Sequence, residues 1–141
     1  MPLTATEMDR KLDEHFAYEK NDDVAGVLAT LDENATHDVV GFPTGPSYGR
    51  EAARRFYEGL FADLAESEVK TVKRLYGPDF MVDESLWRGS APGRPFGLEG
   101  RGRPLAFRLL HVVEFTAEGQ IKKEQVWLDL AAILQQLPQD S

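Results

Sequence analysis

The segment Arg103–Leu137, RPLAFRLLHVVEFTAEGQIKKEQVWLDLAAILQQL, decides how the rest of the chain folds. It predicts a long strand, a tight turn at Glu118-Gly119, a second strand, and a short helix that Asp129 caps. Strand side chains alternate between two faces, so one face of the first strand is apolar except for an imidazole. A single titratable group on such a face is either a hydrogen-bonded core residue or the polar group of a ligand pocket. The residues of this face are Leu105, Phe107, Leu109, His111, Val113 and Phe115.

The composition bounds the class of protein. The 141 residues predict one domain spanning 1–141, and 42% apolar with 28% charged residues is typical of a soluble globular protein. A net charge of −8 disfavours nucleic acid and anionic membranes as partners, because both attract basic surfaces. The chain has no signal-like apolar segment at its start and no segment long enough to span a bilayer, so we expect a cytoplasmic protein.

The cysteine and histidine content of the chain excludes or disfavours several kinds of functional site. The chain has no cysteine, which excludes disulfides, thiolate metal ligands and cysteine nucleophiles. Its three histidines are spread along the sequence without the spacing of metal ligands. We therefore expect neither a metal site nor a cofactor.

The order of elements predicts an α+β fold, with helices first and a meandering sheet afterwards. The closing helix is expected to bury four apolar residues, Leu130, Ile133, Leu134 and Leu137. The chain is predicted to begin with a helix that has a capping box at Thr4–Glu7 and an apolar stripe of Met8, Leu12 and Phe16. A second helix, capped at Asn21–Asp23, follows it. The later elements predicted before the closing hairpin are a strand over Ala35–Val40, a loop over Phe42–Gly49, a helix over Arg50–Leu64, and strands over Glu68–Tyr76 and Phe80–Trp87.

Two stretches of the second half need separate interpretation. Gly89–Gly102, with five glycines and two prolines, is either a mobile flap or a long hairpin connection. The acidic residues Asp79, Asp83 and Glu84 are interpreted as a solvated strand edge. Neither stretch predicts a catalytic group.

The register of the last hairpin determines what faces His111. If Thr116 pairs with Ile121, His111 lies opposite Val126, and Glu124, Val126 and Leu128 share its face; Trp127 then points outward. If Phe115 pairs with Ile121, the residues on that face are Gln125 and Trp127 instead. A slip of one residue reverses every assignment. We favour the first register.

Several ordered motifs resemble the nuclear transport factor 2-like superfamily, in particular its SnoaL-like polyketide cyclase branch. The resemblance covers roughly residues 12–137. It implies a cone, in which a strongly curved antiparallel or mixed sheet wraps around three N-terminal helices and encloses a pocket, with a short C-terminal helix and a homodimer formed through the outer sheet face. The matching motifs are Asn21-Asp22-Asp23-Val24, Gly49-Arg50-Glu51-Ala52, Trp87-Arg88-Gly89-Ser90, and Gly119-Gln120-Ile121 followed by Trp127-Leu128-Asp129 and by Leu134 to Leu137.

The resemblance also implies roles for individual residues. His111 falls on the pocket histidine of the cyclases and on the acidic oxyanion-hole position of ketosteroid isomerases. Asp38 lies near the general-base aspartate of the isomerases, with His37 as the competing match, and His15 lies near their helix-one tyrosine. The cyclases' acid/base aspartate is replaced here by Val126, which departs from the family's own chemistry.

Two functions of different classes follow. The first is an isomerase or aldol cyclase acting by proton transfer on a small hydrophobic carbonyl compound, with Asp38, Glu124 or His37 as base and His111 polarising the oxygen. The second is a non-catalytic module that binds a small molecule or dimerises. In either case we expect the ligand to contact His15, Phe16, Leu109, Val113, Val126 and Leu128.

Overall fold

A computed structural model describes residues 2–41 and 45–140. The predicted loop Phe42–Gly49 lies partly outside these residues, since 42–44 are not among them. Between Val39 and Gly49 the described part contains a two-residue strand, Ser47–Tyr48. The elements are α1 (Ala5–Lys20), α2 (Val24–Ala29), β1 (Leu31–Val39), β2 (Ser47–Tyr48), α3 (Gly49–Asp63), β3 (Ala65–Gly77), β4 (Phe80–Ala91), β5 (Arg103–Phe115), β6 (Ile121–Leu128) and α4 (Leu130–Gln136).

The strands form one six-stranded mixed sheet in the order β2-β1-β6-β5-β4-β3. β1 pairs with β6 in parallel and every other pair is antiparallel. Irregularities interrupt the ladders of β1 with β6, β3 with β4 and β5 with β6, and such bulges bend strands. The predicted α+β class, with a curved sheet and a short C-terminal helix, is confirmed.

Three predicted helix starts are confirmed by their hydrogen bonds. The Thr4 hydroxyl accepts from the Glu7 amide at 3.1 Å and the Glu7 carboxylate accepts from the Thr4 amide at 2.9 Å, which is a capping box. Asp23 accepts from the Gly26 amide, and Asp129 accepts from the Ala132 amide. Each cap satisfies an amide that the helix itself leaves free.

The closing helix is less buried than expected. Ile133 and the residue after the helix, Leu137, are buried, whereas Leu130 and Leu134 are 43% and 49% exposed. A helix of seven residues presents too narrow a contact face to bury four leucine-sized side chains. The expectation that all four are buried is therefore wrong.

The hairpin combines parts of both registers considered above. His111 pairs with Val126, as in the favoured register, yet Phe115 pairs with Ile121, as in the other. An irregularity between Glu114 and Phe115 reconciles the two, because an extra residue shifts the pairing by one. Beside His111 the favoured register holds, and Trp127 lies on the outer face, 40% exposed.

The stretch Gly89–Gly102 is a hairpin connection. β4 continues to Ala91, and the connection contains a single 3₁₀ turn at Pro95–Gly97. The Gly93 amide donates to the Asp63 carbonyl at the end of α3, and the Gly100 amide donates to the Gly93 carbonyl. These bonds fasten the connection to itself and to α3, which favours the second of the two interpretations.

The core consists of two apolar clusters with a cavity between them. One cluster packs α1 and α2 against the inner face of the sheet around Met8, Leu12 and Phe115. The other packs α4 against the sheet around Trp87 and Phe107. Residues of both clusters line the cavity, so the packing of the two clusters sets its position. Within the described residues, no helix has the length and apolar character that crossing a membrane requires.

Candidate functional site

The cavity has a volume of about 610 Å³ and is walled mostly by apolar side chains. Phe16, Leu109, Val126 and Leu128 line it, as expected for ligand contacts. Val113 does not, because it is fully buried in the cluster under α1. Expecting Val113 in the pocket was wrong: it shares a face with His111 but packs within the core cluster and is not part of the cavity lining. Among the polar groups, the cavity brings together His37, His111 and Glu124.

His111 is held by a chain of ionic hydrogen bonds that sequence reasoning missed. Its Nδ1 lies 3.1 Å from Asp83 Oδ1, and Arg74 Nε donates to Asp83 Oδ2 at 2.8 Å. Arg74 donates also to Asp9 and Asp13 on α1. Asp83 is fully buried, so its interpretation as a solvated edge was wrong. The strand alternation that places Met81 and Trp87 inside also places Asp83 inside, directly opposite His111.

These contacts determine that Nδ1 of His111 carries a proton, and they favour the charged form of the ring. An ionised carboxylate only accepts, so Nδ1 carries a proton and donates to Asp83. Burial alone would lower the pKa of His111, but the Asp83 hydrogen bond and the nearby Glu124 charge outweigh it and raise the pKa. No described residue hydrogen-bonds to Nε2, and this atom is not among the fully buried ones, so we infer that it opens into the cavity. The raised pKa favours the protonated ring, and in that form His111 offers Nε2–H to a ligand.

His15 lies behind the cavity wall and is a charged imidazolium. It is fully buried and does not itself line the cavity, which corrects its expected role as a ligand contact. Thr30 Oγ1 donates its proton to the Val27 carbonyl, so it accepts from His15 Nδ1 at 2.7 Å. Nε2 lies 3.1 Å from Glu124 Oε2 and 3.2 Å from Glu19 Oε1. Both ring nitrogens therefore carry protons.

Glu124 is the buried carboxylate of the site. Glu124 is 2% exposed. Its Oε2 atom lies 3.1 Å from His15 Nε2. The N–H bond of His15 does not point at this oxygen, so Oε2 has no well-formed hydrogen bond. Burial would raise the pKa of Glu124, but the His15 imidazolium lowers it below its ordinary value. In return, the charges of Glu124 and Glu19 raise the pKa of His15 against its burial. Glu124 is thus ionised at neutral pH.

His37 and Asp38 point to opposite faces of β1. His37 pairs with Glu124 and lines the cavity, where its ring packs 4.5 Å from that of Phe56. Burial lowers the pKa of His37, so it is neutral at neutral pH. Asp38 pairs with Gln125 and is not a lining residue. The structure does not bring Asp38 to His111, so its assignment as the base is corrected in favour of groups inside the cavity.

The described residues also show what kind of chemistry the site can perform. They contain no group of three or more histidine or acidic side chains arranged to hold a metal ion. The cavity presents an imidazole at His111 whose protonated form is favoured, an ionised carboxylate at Glu124 and a neutral imidazole at His37. A donor and an acceptor on one apolar wall are suited to moving a proton within a bound molecule.

Other solved structures share this fold. A candidate SnoaL-like polyketide cyclase from Jannaschia sp. CCS1 has a TM-score of 0.83, is 16% identical, and the match covers 100% of this chain and 99% of that one. An NTF2-like protein of unknown function from Burkholderia pseudomallei has a TM-score of 0.78 at 17% identity, covering 94% and 98%. An epoxide hydrolase from M. tuberculosis has a TM-score of 0.73 at 18% identity, covering 94% and 90%. The predicted nuclear transport factor 2-like fold is confirmed.

The amino-acid sequence matches a protein-family model over nearly its whole length. No curated protein sequence matches this chain at a significant level. The family model of the SnoaL-like polyketide cyclases matches residues 6–137, which is nearly the whole chain and agrees with the extent of the resemblance seen in the motifs. The chain belongs to the SnoaL-like polyketide cyclase family.

Proposed function

We propose that the protein catalyses proton transfer on a small hydrophobic carbonyl compound, as an isomerase or an aldol cyclase. The observation that supports this most is the placement of His111 and Glu124 on one wall of one apolar cavity. His111 pairs with Val126 and Glu124 with Val113, so the two side chains are diagonal neighbours on β5 and β6. Side chains at such positions are near enough to act on adjacent atoms of one ligand.

In the proposed reaction Glu124 removes a proton from the carbon next to the carbonyl group. The electron pair of that C–H bond moves into the carbonyl, and the oxygen gains negative charge. His111 Nε2–H donates to this oxygen, and its interaction strengthens as the charge develops. Return of the proton from Glu124 to another carbon gives an isomer. Alternatively, the enolate carbon attacks a second carbonyl carbon, the electron pair of that C=O bond moves to its oxygen, and this alkoxide takes the proton from Glu124 to give the aldol product.

The electrostatics of the wall limit which substrates can react. His15 keeps Glu124 ionised, and for the same reason lowers its strength as a base. The substrate must therefore have a C–H bond that the hydrogen bond to His111 makes acidic, as in a ketone whose enolate is conjugated. Neutral His37, next to Glu124 on β1, is a second acceptor within the same wall.

A binding module without catalysis is the second candidate. Val126 favours it, because this apolar residue lies opposite His111 where the cyclases carry an acid/base aspartate. The lowered pKa of Glu124 favours it too. In this function His111 orients a carbonyl ligand and no bond to hydrogen breaks.

The imidazole of His111 can report whether the cavity binds ketones. We expect an NMR titration to give a pKa above the ordinary 6.5, because Asp83 and Glu124 stabilise the charged ring. Adding 1-tetralone should shift the His111 resonances, since the ketone oxygen would bind Nε2–H. The spectrum of His111→Gln assigns the signal, and the buried His15 serves as an internal comparison. A pKa of 6.5 with no response to the ketone would remove His111 from the site.

We also propose that the protein forms a homodimer through the outer face of the sheet. Leu110 and Trp127 pair with each other there, and they are 39% and 40% exposed. Neighbouring apolar side chains in the middle of a sheet face are typical of interfaces. Sedimentation equilibrium should give twice the 15.8 kDa chain mass, and Trp127→Glu should shift the protein towards the monomer. A monomeric wild type would refute the dimer.

A further inference from the structure

The cavity carries more negative than positive charge. Glu19 and Glu124 share one imidazolium, that of His15, so their cluster has a net negative charge with one oxygen of Glu124 fully buried and not hydrogen-bonded. Buried charge without a counterion is unfavourable, so a ligand that supplies positive charge would be stabilised here. Of the described residues that line the cavity, the carboxylates are Glu19, Asp22, Asp63, Glu66 and Glu124, and the cations are Arg55 and His111.

Glu66 is a lining carboxylate whose ionised form the fold disfavours. It is half-buried on β3 and forms no ion pair with a described residue. The charges of Glu19 and Asp22 disfavour its ionised form, whereas the charge of Lys20 and a hydrogen bond from Trp87 favour it. Burial first, and then the charge of Glu19, raise the pKa of Glu66 to about 7, so the fold destabilises its ionised form. A carboxylate kept under such conditions is typical of a binding site.

One aromatic ring, that of Trp87, lies beside this carboxylate, and further aromatic rings line the cavity. Glu66 pairs with Gly89, and a Cβ atom at Gly89 would lie 2.6 Å from the indole ring of Trp87, so the indole ring lies over Gly89 next to Glu66. Trp87 stacks on Phe107 with ring centroids 5.0 Å apart. Tryptophan is the aromatic side chain that attracts cations most strongly. The further phenylalanine and tyrosine rings of the lining are Phe16, Tyr48, Phe56, Tyr57, Phe61 and Phe96.

We propose that the substrate of this cavity carries a protonated amine, which binds between the carboxylate of Glu66 and the ring of Trp87. The inference rests on the proposed function, because it adds a second recognition point to a carbonyl compound held at His111. An ammonium group satisfies Glu66 directly and offsets the excess negative charge of the Glu19 and Glu124 cluster. It also leaves the apolar part of the ligand against the aromatic wall. Arg55 also lines the cavity, but its side chain is exposed, and its positive charge would favour an anionic ligand.

Three ketones of matched length test the proposal by calorimetry at pH 8, where Glu66 is ionised. The first is 4-(dimethylamino)-1-phenylbutan-1-one, which is a cation. The second is its neutral carbon isostere, 5-methyl-1-phenylhexan-1-one. The third is the anion 5-oxo-5-phenylpentanoate. We expect the amine to bind about tenfold more tightly than the isostere, and the acid to bind most weakly. The preference should fall at pH 5.5, because Glu66 becomes protonated while the amine keeps its charge.

Variants assign the effect to Glu66. Glu66→Gln should reduce the preference for the amine over the isostere several-fold while leaving the affinity for the isostere unchanged. Glu68→Gln, an exposed position on the same strand that does not line the cavity, is the matched control and should change neither. If amine and isostere bind equally, or the acid binds best, the amine inference is overturned. In that case the response of His111 to the isostere separates the two proposals. If the His111 resonance shifts when the isostere is added, the proposed function stands without the amine inference. If it does not shift, the proposed function and the amine inference are both refuted.

Discussion

The Glu124→Gln variant is expected to lose exchange of the hydrogens next to a bound carbonyl, by a factor of about 10² to 10⁴ relative to wild type. Glutamine has nearly the shape of glutamate, so it keeps the packing of the wall, but its amide does not accept a proton from carbon. The measurement is deuterium incorporation at C2 of 1-tetralone in D₂O, followed by NMR. A parallel His111→Gln variant should lose about 10² to 10³, the effect of removing one donor to a developing oxyanion.

Asp38→Asn is the matched control for this experiment. Asp38 lies on β1, one residue from His37, which is the β1 partner of Glu124, but it lies on the opposite face of the strand. The variant removes the same charge from the same part of the sheet, so a general electrostatic effect would appear in both. We expect Asp38→Asn to exchange at the wild-type rate. Loss of exchange in Asp38→Asn with normal exchange in Glu124→Gln would reverse the assignment of the base.

His15→Leu is expected to destabilise the protein by about 3–5 kcal/mol at pH 7, because it leaves the buried Glu124 without its cation. The pKa of His15 is raised, so its contribution is complete below the ordinary pKa of 6.5 and lost as the pH rises through the raised value. The pKa of Glu124 is lowered, so its contribution is present above its ordinary 4.5 and lost as the pH falls through the lowered value. Urea unfolding measures the difference.

The pH dependence and a double variant separate this cause from lost packing. In His15→Leu the burial of Glu124 raises its pKa, so the variant gains stability as the pH falls and the deficit narrows towards pH 4. The double variant His15→Leu/Glu124→Leu removes both charges and should recover most of the loss, because an apolar pair replaces a buried ion pair at little cost. An equal deficit in the single and double variants, independent of pH, would contradict the ion-pair account.

Local patterns account for most of the fold. The alternation of Leu105 to Phe115 predicts the buried face of β5, and the spacing to the Glu118-Gly119 turn predicts the strand that pairs with it. Caps at Thr4, Asp23 and Asp129 mark three helix starts, because each signal depends on side chains within three residues of one another. Such interactions can be recognised in the sequence without knowing the tertiary structure.

The site was predicted less completely, because its contacts join distant parts of the chain. Arg74 on β3 links α1 to Asp83 on β4, and no spacing in the sequence indicates that contact. The side of β1 that faces inward depends on the irregular pairing of β1 with β6, which decides between His37 and Asp38. The sequence did not predict Glu66 as a site residue, because no alternation of apolar and polar residues at the start of β3 indicates that it faces the cavity. Its placement beside Trp87 is visible only in the register of β3 with β4.

The central claim is that the cavity wall with His111 and Glu124 moves protons on a bound carbonyl compound. The most direct measurement is the rate at which wild-type protein introduces deuterium at C2 of 1-tetralone in D₂O, compared with buffer and with the Glu124→Gln variant. The proposed mechanism predicts exchange that is faster than in buffer, saturates with ketone and depends on Glu124. A ketone that binds, shifts the His111 resonances and exchanges no faster than in buffer would contradict catalysis and identify the protein as a binding module.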